Sequence, residues 1–176
     1  VVGLVLHVNG LANAMRSVTV IGATMLVFGI VLYWADQRGA HTKRDADWST
    51  RDAITMGLWQ AVALIPGTSR SGITITAGRL LGYDRESAAR IAMLMSIPTI
   101  LASGVLRGAD VIADSDAQLA RDGALAAVMA FIAALATLAL MMRLLKSISF
   151  TPYVIYRVIL GAILLWLGLS GALTTA

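Results

Sequence analysis

Seven consecutive residues bring together the parts of an anion clamp: Pro66-Gly67-Thr68-Ser69-Arg70-Ser71-Gly72. Arg70 offers a planar fork that takes two phosphate oxygens at once. Ser69, Ser71, Thr68 and Thr74 add hydroxyl donors. Gly67 and Gly72 let the backbone approach closely and aim N–H groups inward. A helix starting near Ser71 would contribute its positive end. Such a set suits an oxyanion whose charge grows during phosphoryl transfer. The other reading of the same residues is close helix packing through Gly, Ser and Thr, with Arg70 snorkelling to a surface. Gln60, six residues before Pro66, either hydrogen-bonds the turn or packs between helices.

The surrounding chain is built for lipid. Of 176 residues 58% are hydrophobic and 14% charged, with a mean hydropathy of +0.79, which excludes an ordinary soluble domain and a disordered chain. The absence of cysteine excludes disulfides and Cys-based metal sites or nucleophiles. The net charge of +4 points, in so apolar a chain, to the cytoplasmic membrane face and away from nucleic acid. Uncharged runs at 17–35, 123–142 and 158–176 are each long enough to cross about 30 Å of hydrocarbon. The run 91–106, with Pro98 inside, is shorter but flanked by Arg90 and Arg107. Residues 1–8 read as the stump of another span, and the chain as one N-terminally truncated integral membrane domain over 1–176.

Residues 53–78 form two apolar arms around the polar turn. They suit either a broken helix that crosses or a helix-turn-helix that enters and leaves on one side. Counting Lys and Arg separates the two. If 53–78 is re-entrant, the segments 36–52, 79–90 and 143–157 share a side with ten basic residues, against three opposite. If it crosses, the sides nearly balance. The re-entrant arrangement is therefore expected, with the 107–122 loop and its Asp110, Asp114, Asp116 and Asp122 outside.

The remaining polar residues read as structural. His7 suits a helix end and His41 a solvated loop. Asp110, Asp114 and Asp116 lack the Gly turn and closing Glu of a calcium loop. Asp84 suits an N-cap. Tyr33, Trp34, Trp48 and Trp59 fit membrane-interface positions. Arg157 is placed at the mouth of the last helix, snorkelling.

GLWQAVALIPGTSRSGITIT, Gly57 to Thr76, resembles the second signature of the undecaprenyl-diphosphatase family, the bacitracin-resistance proteins called BacA or UppP. That signature, PGxSRSGxT after a Gln and an apolar arm, matches Pro66, Gly67, Ser69, Arg70, Ser71, Gly72 and Thr74. LLKSISFTPYVIYR, Leu144 to Arg157, looks like the family's last cytoplasmic loop, and VVGLVLH like a mid-chain helix. The resemblance covers the whole chain as roughly the last two-thirds of a member. The family's first signature, an ExxxE segment leading to Pro-Ser-Ser-Thr-Gly-His, has no counterpart here.

The resemblance implies an all-α polytopic membrane protein with four to five transmembrane helices plus one re-entrant helix-turn-helix, the second half of an inverted-repeat architecture. It implies hydrolysis of undecaprenyl diphosphate to the monophosphate and phosphate in the bacterial inner membrane. Arg70, Ser69 and Ser71 would be catalytic, and Gly67, Thr68, Gly72, Thr74 and Gln60 substrate-binding. A divalent cation, Mg²⁺ or Ca²⁺, would be held by ligands in the upstream part. Expected partners are the polyprenyl diphosphate lipid and the bilayer, with a homodimer left open and no nucleic acid. The alternatives are a transporter or flippase of a lipid phosphate or anion, and an inactive fragment.

Overall fold

The computed structural model describes residues 17–40, 42–113 and 117–170. Among them lie six α-helices and no strand: α1 (Val18–Arg38), α2 (Thr50–Val62), α3 (Arg70–Leu80), α4 (Arg85–Ala113), α5 (Ala117–Leu145) and α6 (Thr151–Leu169). Four of these, α1, α4, α5 and α6, contain stretches long and apolar enough to cross a membrane. The chain is thus a polytopic all-α membrane protein. Its wide exposed apolar surface, such as Leu101, Val105, Phe131 and Trp166, is what a lipid solvent permits.

Lipid gives helices no hydrophobic reason to associate, so close backbone approach must supply the packing. The α1–α6 pair does this through glycine. A Cβ on Gly22 would stand 2.5 Å from the Leu165 nitrogen, and one on Gly161 would stand 2.9 Å from the Leu26 nitrogen. Thr19 meets Gly168, Gly22 meets Gly161 and Leu165, and Gly29 meets Arg157. The partner numbers fall as α1 advances, so the helices are antiparallel.

Helices α2 and α3 form a hairpin, packed on each other, with α3 also against α1 and α4. Polar bonds fasten the hairpin's base. The buried Asp36 carboxylate at the end of α1 accepts from Arg79 Nε (3.1 Å) and bidentately from Arg85 (2.8 and 3.0 Å). Arg79 is fully buried and also donates to the Asp36 and Tyr83 carbonyls. Lys43 and Tyr83 pair through their backbones, with Lys43 N–H donating to Gly82 O and Asp84 N–H to Lys43 O. Tyr83 also donates to Asp52 at 2.7 Å, and this bond, aided by Lys43, holds the Asp52 carboxyl below the usual carboxylate range. Burial first, then the Asp52 carboxylate, pushes the Tyr83 phenol up. Segments 36–52 and 79–90 are therefore in direct contact. Asp84 caps α4, accepting the Ser87 N–H at 2.7 Å.

Two expectations need correction. Residues 107–122 are not one loop, since α4 runs to Ala113 and α5 resumes at Ala117; charge ends a membrane run, but helical hydrogen bonding continues into water. The last helix starts at Thr151 rather than after Arg157, which puts Arg157 within it. Trp59 packs partly buried against the core, while Tyr33, Trp34 and Trp48 are exposed. His7, His41, Asp114, Asp116 and the 1–8 stretch lie outside the described residues.

Removing one partner of a buried ion pair leaves a charge uncompensated and costs about 3–5 kcal/mol. Asp36→Ala is expected to lower the detergent-solubilised chain's stability by that order. The double variant Asp36→Leu/Arg79→Met should recover most of it, as read by denaturant unfolding. An unchanged single variant would mean the latch at the hairpin base holds nothing.

Candidate anion site

The motif occupies the tip of the α2–α3 hairpin, and its backbone carbonyls are taken up one after another by α1 and α6. Thr24 Oγ1 on α1 donates to Pro66 O at 2.6 Å. Arg157 Nη2 on α6 donates to Gly67 O at 2.7 Å and to Thr68 O at 3.0 Å. In a trans peptide the N–H points opposite to the C=O, so the N–H groups of Gly67 and Ser69 face away from α1 and α6. The turn needs its glycine. Gly67 has φ +86°, and a Cβ there would strike Thr24 and stand 2.6 Å from Ile21 O. Ser69 also has positive φ, +66°, a conformation that costs about 1–3 kcal/mol for a non-glycine residue and persists where neighbours enforce it.

Helix α3 begins at Arg70 with Ser69 as N-cap; Ser69 Oγ accepts the Gly72 N–H at 3.2 Å. The Arg70 and Ser71 N–H groups precede the first helical bonds and have no partner among the described residues. The Arg70 side chain is anchored on α4, where Nη1 donates to Thr99 Oγ1 at 2.6 Å. Thr99 in turn donates to Ser96 O. No carboxylate among the described residues pairs with Arg70 or Arg157. Arg157 is satisfied by carbonyls, by Tyr153 Oη at 3.2 Å and by the Tyr153 ring, 5.7 Å from the guanidinium carbon. Tyr153 Oη also lies 3.1 Å from Ser69 Oγ, and Ser71 Oγ lies 3.5 Å from Ser69 Oγ.

The candidate residues divide accordingly. Arg70, Ser69 and Ser71 converge at the α3 N-terminus with open donors. Gly67 serves the α1 contact and gives its carbonyl to Arg157. The Gly72 N–H is used by Ser69, and a Cβ there would lie 3.2 Å from Ser69 Oγ. Thr74 is buried and donates to Arg70 O at 2.7 Å. Thr68 is buried with Oγ1 unpartnered. Gln60 does not bond the turn; its Oε1 is buried without a partner. Arg157 does not snorkel. It is 4% exposed, because six residues of helix precede it and the turn's carbonyls meet it there. Sequence reasoning missed Thr24, Thr99 and Tyr153. For Arg157 the signal was available: a charge inside a membrane helix needs a partner.

Beside this cradle opens an apolar cavity of about 320 Å³ between α3, α5 and the start of α6, walled by Ser71, Ile75, Met141, Leu145, Phe150 and Tyr153 among others. In this polytopic membrane protein an open helix N-terminus with Arg70 thus stands next to an apolar slot. The chain belongs to the bacitracin resistance protein BacA family, which it matches over residues 1–163. It is 74% identical over 163 residues to the undecaprenyl-diphosphatase of Jannaschia sp. (strain CCS1), covering 93% of this chain and 61% of that protein. It is 66% identical over 168 residues to that of Ruegeria pomeroyi, covering 96% and 63%, and 44% identical over 165 residues to that of Chromohalobacter salexigens, covering 94% and 62%. The chain thus spans a little over three-fifths of the length of these relatives.

Two buried carbonyls lose their donor in Arg157→Leu, at about 1–3 kcal/mol each. Amide exchange at Gly72 and Ile73, whose bonds end on Ser69, is expected to accelerate well beyond that at mid-α1. Equal protection in variant and parent would show that Arg157 does not hold the turn.

Proposed function

We propose that the intact protein hydrolyses undecaprenyl diphosphate to undecaprenyl phosphate and inorganic phosphate, and that this chain supplies the diphosphate cradle. The observation that carries the reading is the adjacency of the open α3 N-terminus with Arg70 to an apolar cavity sharing Ser71 as a wall. The head of a polyprenyl diphosphate would sit on the Arg70 and Ser71 N–H groups and the Arg70 guanidinium. Its tail would start into the cavity. In the reaction water adds to the terminal phosphorus, and the bond from that phosphorus to the bridging oxygen breaks. Charge moves onto the bridging and terminal oxygens, where fixed donors in a water-poor site stabilise it most. Ser69 and Ser71 hydroxyls orient the same oxygens.

A divalent cation, Mg²⁺ or Ca²⁺, is part of the proposal, but no group of three or more His, Asp or Glu side chains gathers among the described residues. The roles assigned to Arg70, Ser69 and Ser71 do not pass through it. A homodimer is compatible with the exposed apolar faces of α4 and α5.

The hairpin is proposed to be re-entrant over 53–78. Contact between 36–52 and 79–90 supports this, since a crossing segment would hold them on opposite sides. So does the cleft that brings Arg143 and Lys146 beside Glu86 and Arg90. Helices of 13 and 11 residues reach about 16–20 Å, beyond the middle of a bilayer core of about 30 Å. The chain has no cysteine, so single cysteines report cleanly. Residues 43, 90 and 146 are expected to react with an impermeant maleimide from the cytoplasmic side and residue 122 from the outside. Labelling of 43 and 90 from opposite sides would exclude re-entrance.

Phosphate release from undecaprenyl diphosphate with Mg²⁺ tests the activity, on this chain and on the gene extended upstream. The extended protein should release phosphate, and Arg70→Ala should reduce the rate by about 10²–10³, the cost of one oxyanion donor. Gradient-dependent movement of lipid phosphate without release would instead favour transport.

A further inference from the structure

We propose that Tyr153 sets the direction of the hydrogen bonds at the turn, so that Ser69 meets a bound phosphate as a hydrogen-bond donor. The inference rests on reading the turn as a phosphate site.

A guanidinium has N–H donors and no acceptor. Arg157 Nη1, 3.2 Å from Tyr153 Oη, must donate there. The phenol proton then needs an acceptor, and the one within reach among the described residues is Ser69 Oγ at 3.1 Å. Ser69 Oγ already accepts the Gly72 N–H at 3.2 Å. A serine hydroxyl has two lone pairs and one proton. Both lone pairs are filled, so only the proton remains to engage a ligand.

That proton faces Ser71 Oγ, 3.5 Å away, at the long limit for a hydrogen bond. A phosphate oxygen in the cradle is a charged and better acceptor. Attack on phosphorus would require Ser69 to give up that proton to a base, and the proton is its one remaining contact for a ligand. Tyr153 is therefore a positioning residue acting through Ser69. Its ring also walls the apolar cavity, so it marks where the polar head ends and the tail begins.

The test is titration of inorganic pyrophosphate into the detergent-solubilised chain by calorimetry, for the parent, Ser69→Ala, Tyr153→Phe and the double variant, with thermal unfolding alongside. Ser69→Ala is expected to weaken binding by about tenfold or more, the loss of one hydrogen bond to a charged acceptor, and Tyr153→Phe by less, since it leaves the Ser69 hydroxyl in place. The double variant should be no weaker than Ser69→Ala, because Tyr153 acts through Ser69. O-methyltyrosine at 153 keeps the oxygen that accepts from Arg157 and replaces the donated proton with a methyl group, so it should weaken binding at least as much as Tyr153→Phe. Multiplying losses in the double variant, or parent-like affinity with O-methyltyrosine, would overturn the proposal. A parent chain that binds no pyrophosphate would remove the phosphate-site reading itself, and this inference with it.

Discussion

One buried guanidinium, that of Arg157, organises the polar centre of this protein. A buried charge is tolerated where hydrogen-bond partners meet it. Here the acceptors are the carbonyls of Gly67 and Thr68 and the phenol oxygen of Tyr153. Turning those carbonyls toward α6 turns the intervening amides the other way. The same contact thus partners Arg157 and fixes the turn just ahead of α3, whose first two N–H groups, those of Arg70 and Ser71, precede the helical bonds and stay open. Non-helical backbone in a membrane protein must line a cavity or be buried in protein. The two sides of this turn meet those two conditions separately.

The turn can be held this way because α1 and α6 lie so close. Glycines at 22 and 161 bring the two backbones into contact, which places Thr24 and Arg157 on one wall at the height of the turn. At the other end of the hairpin the Asp36–Arg79–Arg85 cluster ties α3 to the end of α1. Helix α3 is therefore fixed at both ends, by carbonyl acceptors at its tip and by an ion cluster at its base. Arg70, anchored to Thr99 on α4, is pre-oriented in the same way. Fixed donors of this kind cost no reorganisation when charge arrives.

Much of this was legible in the residues. Uncharged runs located the four long helices, because the cost of burying charge in hydrocarbon is large and local. The Pro-Gly break and Arg70 located the hairpin tip, and Asp84 was readable as a cap. What stayed hidden depends on contacts between distant segments. The motif's glycines and hydroxyls looked like ligand donors, yet Gly67, Gly72 and Thr74 are consumed by packing and backbone bonds. Arg157 looked like a snorkelling end residue because helices were bounded by charge. A charge whose partners are 89 and 90 positions away in sequence leaves no local sign of them. Thr24, Thr99 and Tyr153 carry no pattern that separates them from ordinary helix residues.

The central claim is that the α3 N-terminus with Arg70 is a preformed anion site. It is tested most directly by a crystal or cryo-electron-microscopy structure of the chain with tungstate, an electron-dense phosphate mimic. A tungstate is expected within hydrogen-bonding reach of the Arg70 guanidinium and the Ser71 amide, with the Arg157 bonds to Gly67 and Thr68 unchanged. A tungstate held instead in the basic cleft of Arg90, Arg143 and Lys146, with the α3 N-terminus empty, would contradict it.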